Sequence, residues 1–163
     1  ALADVAHREG VNLFSFGNSS RAALNGCHPV LVEIAEAALA TGIMDFSVSY
    51  GFRGEAEQNA AFQSGNSDKP WPKSKHNHMK DGKPCSLAMD ILPYPFRLEY
   101  WQKPQPFYFL AGVVMTAAIP VLARYPGVKL VWGGDWDSDG DFFDHRLVDC
   151  PHFEIHFTGN AKP

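Results

Sequence analysis

The hydrophobic and polar positions of this chain fall into short segments whose period changes several times along its length. Residues 1–20 show no clear period and predict no element. From Pro29, the run P-V-L-V-E-I-A-E-A-A-L-A-T-G places Leu31, Ile34, Ala35, Ala38 and Leu39 at helical spacing. Proline in the first turn and Gly42 at the stop complete the prediction of a helix. His28, just before it, suits a hydrogen bonder at the helix entry. Asp45–Tyr50 alternates Phe46, Val48 and Tyr50 against polar neighbours, the period of a half-buried strand, and Gly51 ends it. The run from Gly54 to Gly65 predicts a second helix, and residues 66–73 form a polar, proline-bearing loop.

From His76 to Pro84 the residues are charged and turn-forming, which predicts an exposed excursion. Strand periodicity resumes at S-L-A-M-D-I, with Leu87, Met89 and Ile91 toward the core and Ser86, Ala88 and Asp90 on the other face. Three prolines, Pro93, Pro95 and Pro104, bracket an aromatic connection. Phe107 to Leu122 then predicts a long apolar helix kinked near Pro120, and Val128–Trp132 a short strand. The final run, H-F-E-I-H-F, sets His152, Glu154 and His156 on one strand face and Phe153, Ile155 and Phe157 on the other.

Composition narrows the classes. A chain of 163 residues that is 45% apolar and 13% aromatic can bury a sizeable core as one domain spanning 1–163. A net charge of -4 gives no electrostatic footprint for nucleic acid, and no basic amphipathic segment suggests membrane insertion. The apolar run 107–122 is shorter than a bilayer span and contains proline, so it reads as a buried helix. Cys27, Cys85 and Cys150 are odd in number and far apart, which predicts free thiols. No charged start followed by an apolar stretch marks a signal peptide, so synthesis in a cytoplasm is expected.

The chemistry lies in two stretches, S-K-H-N-H-M-K-D-G-K-P-C-S-L-A-M-D at 74–90 and D-C-P-H-F-E-I-H at 149–156. A catalytic zinc needs three ligands from His, Asp, Glu or Cys, an open position for water, and a carboxylate to take the water's proton. His76, Asp90 and His152 read as the ligands and Asp149 as the base. Three ionisable groups on one strand face are costly unless they bind something, which favours a metal role. The pattern is not H-E-x-x-H, so a helical zinc site is disfavoured. His78 is open to two readings, a further ligand or a solvated loop residue. Arg53 is open to two as well, a surface ion pair with Glu55 or Glu57, or a clamp for a developing oxyanion. The acidic residues at 135, 137, 139 and 141 fit the first half of a calcium loop, but its twelfth position is Arg146. Calcium at 135–141 and a solvated acidic turn both stand. Together these elements predict an α+β fold in which a small antiparallel sheet, flanked by helices, carries the zinc site.

Six ordered marks then define a resemblance: H-P-x-L at 28–31, D-F-x-V-x-x-G-x-R at 45–53 followed by Gln58, S-x-H at 74–76, S-L-A-M-D at 86–90, W-G-G-D-W at 132–136, and D-x-P-H-F-E at 149–154. Over about residues 20–157 the chain resembles the zinc peptidases that include D-Ala-D-Ala dipeptidases and carboxypeptidases, and especially the phage L-alanyl-D-glutamate endopeptidases. The resemblance implies zinc on His76, Asp90 and His152, Asp149 as general base, and Arg53 binding the carbonyl oxygen. It implies hydrolysis of a peptide bond in bacterial peptidoglycan by a monomeric lysin that acts on the wall in the periplasm. The alternatives are a D-Ala-D-Ala carboxypeptidase or dipeptidase with the same centre, or a non-catalytic wall-binding module. Residues 77–85 read as an insertion relative to the family. Ser74 is expected to hold substrate or the ligand loop, and Trp132 and Trp136 to wall the cleft or fill the core.

Overall fold

A computed structural model describes residues 14–163. Its centre is a four-stranded antiparallel sheet in the order β1-β4-β6-β5, formed by β1 (Phe46–Tyr50), β4 (Ala88–Pro93), β6 (His152–Phe157) and β5 (Val128–Trp132). Alternation along the strands gives the sheet two faces. Met89, Ile91, Phe153 and Ile155 point to one face and are almost completely buried, each contributing roughly 1.5–3 kcal/mol of transfer free energy. Asp90, His152 and Glu154 point to the other face and line a cleft.

Among the described residues four helices flank the sheet: α1 (Asn18–Asn25), α2 (Pro29–Ala40), α3 (Glu55–Gln63) and α4 (Gln105–Leu122). Helices α2 and α4 pack on one another, and α4 also packs on β4 and β5, so the apolar stripe of α2 and the side chains Leu110, Val114 and Ala118 of α4 close the core. The helix continues through Pro120 to Leu122. His28 caps α2, its Nδ1 accepting from Val30 N at 3.3 Å.

Helix α1 lies within a region where the sequence predicted nothing. Its residues N-S-S-R-A-A-L-N include two serines and two asparagines, which compete for backbone hydrogen bonds and weaken any helical signal. Tertiary contacts hold it instead. Ser20 Oγ accepts from Val48 N at 3.0 Å, so the helix satisfies the outer edge of strand β1. The excursion at 77–85 is also more ordered than predicted. Met79–Lys80 (β2) pairs with Lys83–Pro84 (β3) across Asp81–Gly82, whose φ values of 51° and 73° are the paired left-handed residues of a two-residue hairpin turn.

Gly51 joins these layers. A Cβ there would lie 2.7 Å from Cys27 Sγ and would also collide with the carbonyl of Ala23, so only glycine lets β1 leave the sheet this close to α1. Gly51→Ala should therefore destabilise the fold by about 1–3 kcal/mol, read as a lower urea midpoint. An unchanged midpoint would show that the α1 contact yields easily.

Candidate metal centre

Strand register brings two of the candidate ligands together. Asp90 of β4 is the direct cross-strand partner of His152 of β6, and Tyr50 of β1 flanks Asp90 on the other side, beyond an irregularity between Val48 and Tyr50. The third, His76, sits on a short 3-10 turn, Lys75–Asn77. Ser74 caps that turn, its hydroxyl accepting from His76 N at 3.2 Å while Asn77 Oδ1 accepts from Ser74 N at 3.0 Å. The turn is docked from both sides, because Arg53 N donates to His76 O and Leu87 N donates to Lys75 O. Buried Gln58 completes the support, donating to Ser67 Oγ and Lys69 O and accepting from Asn77 Nδ2.

The ligating atoms converge. His76 Nε2 lies 3.3 Å from Asp90 Oδ1 and 3.3 Å from His152 Nδ1, and His152 Nδ1 lies 3.0 Å from Asp90 Oδ1. His76 Nδ1 is 2.6 Å from the carbonyl oxygen of Gly51, so that nitrogen carries the proton and Nε2 presents a lone pair inward. Lone pairs from two imidazoles and a carboxylate thus face one small space, and only a proton or a cation reconciles them. Without a metal, a proton does so. Burial alone would push His152 down, but hydrogen bonds to Asp90 and Glu154 outweigh it and hold the imidazole up at about 9. The two-nitrogen, one-oxygen donor set fits zinc in a site that keeps a position for water. Among the described residues no cysteine joins a candidate ligand group, and burial raises the thiols of Cys27, Cys85 and Cys150.

Arg53 and Asp149 flank this group. Arg53 Nη2 donates to Asp90 Oδ2 at 2.8 Å, and its guanidinium lies 5.0 Å from the centre of the Tyr50 ring. Its ion pair is with Asp90, not with Glu55 or Glu57. Asp149 is the first residue of a tight turn closed by His152 N donating to Asp149 O at 3.0 Å, which is how the D-x-P-H spacing sets a carboxylate beside a ligand. Gly133 makes room for that turn, since a Cβ there would strike the carbonyl of Asp149. Burial raises the Asp149 carboxyl above the usual aspartate range, with Asp90 adding to the effect and His152 opposing it. Among the described residues its carboxylate accepts no hydrogen bond, leaving it available to a water.

The cleft over the centre encloses about 800 Å3, and Tyr50, Trp101, Trp136, Lys69, Lys75 and Arg146 are among its walls. Trp136 approaches His152 with ring centres 5.5 Å apart. Trp132 does not reach the cleft. It pairs with Phe153 across β5 and β6, cross-strand partners share a face, and Phe153 belongs to the core face, so Trp132 is buried against Tyr108 and Phe153. From there its Nε1 donates to Cys150 O at 2.8 Å, bracing the Asp149 turn from below. Ser74 lines the cleft and holds the ligand loop. His78 lies outside the ligand group, its Nδ1 2.9 Å from Cys85 O at the base of the hairpin. In the acidic loop, Asp135 accepts from Asp139 N and Gly140 N, while Asp137, Asp139 and Asp144 stand exposed with carboxylate oxygens within 4.8 Å of one another. The sequence marked Gln58 as part of the resemblance without giving it a task; its burial and its bonds to the ligand loop supply one.

An antiparallel sheet that presents two histidines and an aspartate to an open cleft, with an uncommitted carboxylate beside them, could hold a metal ion next to a free base, the inventory that metal-assisted hydrolysis requires. Comparison with known proteins gives the family. Residues 12–156 match the family of phage L-alanyl-D-glutamate peptidases, and the chain belongs to it. It is 28% identical over 145 residues to the L-alanyl-D-glutamate peptidase of Escherichia phage T5, covering 87% of this chain and 98% of that protein. The crystal structure of the Serratia marcescens L-Ala D-Glu endopeptidase ChiX is similar at a TM-score of 0.63 and 27% identity, over 87% of this chain and 90% of that one.

Below about pH 9 a bound cation must displace the His152 proton, so zinc affinity should rise with pH through the neutral range and level off above that value. Calorimetry in buffers of different ionisation enthalpy should show about one proton released per zinc near neutrality, and zinc uptake without proton release would contradict this protonation state. Asp149→Asn should keep zinc and lose on the order of 10²–10⁴ in turnover. Because the native carboxyl is raised, its charged form burdens the fold only above its titration. The same variant should therefore melt higher than the parent at neutral pH without metal, with the difference vanishing in acid.

Proposed function

We propose that this chain is a zinc-dependent endopeptidase that cleaves the L-Ala-D-Glu bond in the stem peptide of bacterial peptidoglycan, serving as a phage lysin. The observation that carries the reading is the convergence of His76 Nε2, Asp90 Oδ1 and His152 Nδ1 on one point, beside Asp149, in an open cleft. Membership in a family of L-alanyl-D-glutamate peptidases supplies the bond. Zinc, when bound by these three residues, would polarise the scissile carbonyl and make water more acidic.

The protein's own groups do the rest. Asp149 accepts the proton of the attacking water and passes it to the amine of D-Glu as the peptide bond breaks. Its raised affinity for a proton suits both halves of that transfer. Arg53 spends one donor on Asp90 Oδ2, and its charge, facing the cleft, stabilises the oxyanion that forms on the L-Ala carbonyl. Trp101 and Trp136 offer apolar walls to the extended substrate. A lysin of this kind is made in the host cytoplasm and acts on the wall from the periplasmic side.

Digestion of purified peptidoglycan by the zinc-loaded protein, followed by mass spectrometry, tests the proposal. New amino-terminal D-Glu, with L-Ala left on the muramyl sugar and no cleavage after chelator treatment, is the expected result. Release of D-Ala alone would move the protein to the carboxypeptidase branch, and intact peptidoglycan would favour a binding module.

A further inference from the structure

Among the described residues, Glu154 is the one buried carboxylate near the centre that neither ligates nor faces the attacking water in the mechanism above. It follows His152 by two residues on β6, and a strand's two-residue period therefore puts both side chains on the same sheet face, one beside the other. Its two oxygens are both committed. Oε2 lies 2.8 Å from His152 Nε2, and Oε1 lies 2.5 Å from Nε2 of His156, the next residue on that face. Glu154 is 7% exposed, whereas the His156 side chain is 44% exposed, so the row runs from the buried centre to the surface.

Resting on the zinc reading of His76, Asp90 and His152, we propose that Glu154 is a positioning residue for the metal, held in place by His156. A carboxylate at Nε2 requires the proton of neutral His152 to sit there, which turns the Nδ1 lone pair toward His76 Nε2 and Asp90 Oδ1. It also fixes the ring's rotation. His76 obtains the same two constraints from the carbonyl of Gly51, so each imidazole has its own outer acceptor. His156 keeps Glu154 from turning its carboxylate away, because releasing Oε1 would leave a buried oxygen unsatisfied.

The test is zinc affinity, measured by competition with a chromophoric chelator, for the parent protein, Glu154→Leu, Glu154→Gln and His156→Ala. Loss of an outer acceptor typically weakens metal binding about 10–100-fold, and that is the loss expected for Glu154→Leu. Glu154→Gln keeps an oxygen that accepts from Nε2–H and should recover most of it. In the cobalt-substituted proteins, the visible absorption of Glu154→Leu should shift while that of Glu154→Gln stays near the parent's, a signature of ligand orientation that general loosening of the strand does not produce. Should Glu154→Leu fail to fold, His156→Ala should still weaken zinc by a few-fold. A folded Glu154→Leu that binds zinc as the parent does, or an unfolded one accompanied by an unaffected His156→Ala, overturns the positioning role alone. A parent protein that binds no zinc overturns the centre itself, and this proposal with it.

Discussion

The constraint on which the rest of the structure depends is the meeting of three lone pairs with no proton of their own between them. His76 Nε2, Asp90 Oδ1 and His152 Nδ1 stand 3.0–3.3 Å from one another, close enough that the group repels itself unless positive charge lies among them. A protein holds such a group only by fixing each member from outside. The carbonyl of Gly51 and the carboxylate of Glu154 set the two imidazoles, and the Arg53 guanidinium sets the carboxylate through Oδ2. The order of the fold at this point consists largely of those outer contacts.

Distant segments are brought together to make them. Cross-strand pairing alone places Asp90 against His152, but His76 must be delivered from a turn with no strand of its own. The Ser74 cap, the docking of Lys75 O and His76 O, and the buried amide of Gln58 supply that delivery. Glycine is required where these segments approach each other most closely, at Gly51 beneath α1 and at Gly133 against the Asp149 turn. On the opposite face of the sheet, Trp132 fills the core and braces Cys150 O, so packing below the sheet and chemistry above it share one strand ending.

Much of this was legible because short-range spacing carries it. The period of two in H-F-E-I-H-F puts His152 and Glu154 on one face whatever the rest of the chain does, and D-x-P-H is a single turn. The antiparallel sheet flanked by helices was legible for the same reason, since each strand and most helices announce their own period. What depended on partners was not legible. Helix α1 has weak intrinsic propensity and exists because Ser20 and Leu24 meet β1 and the core. Trp132 was placed on the cleft as an alternative because its facing depends on register with Phe153, which no local pattern reveals. Arg53 was weighed against its near neighbours Glu55 and Glu57, whereas its partner is 37 residues away.

The most direct measurement of the central claim is X-ray absorption at the zinc edge of the zinc-loaded protein. A shell of nitrogen and oxygen at about 2.0–2.2 Å, with the outer-ring scattering of two imidazoles, is the predicted result. A sulfur scatterer near about 2.3 Å, or a single imidazole, would contradict the assignment of His76, Asp90 and His152.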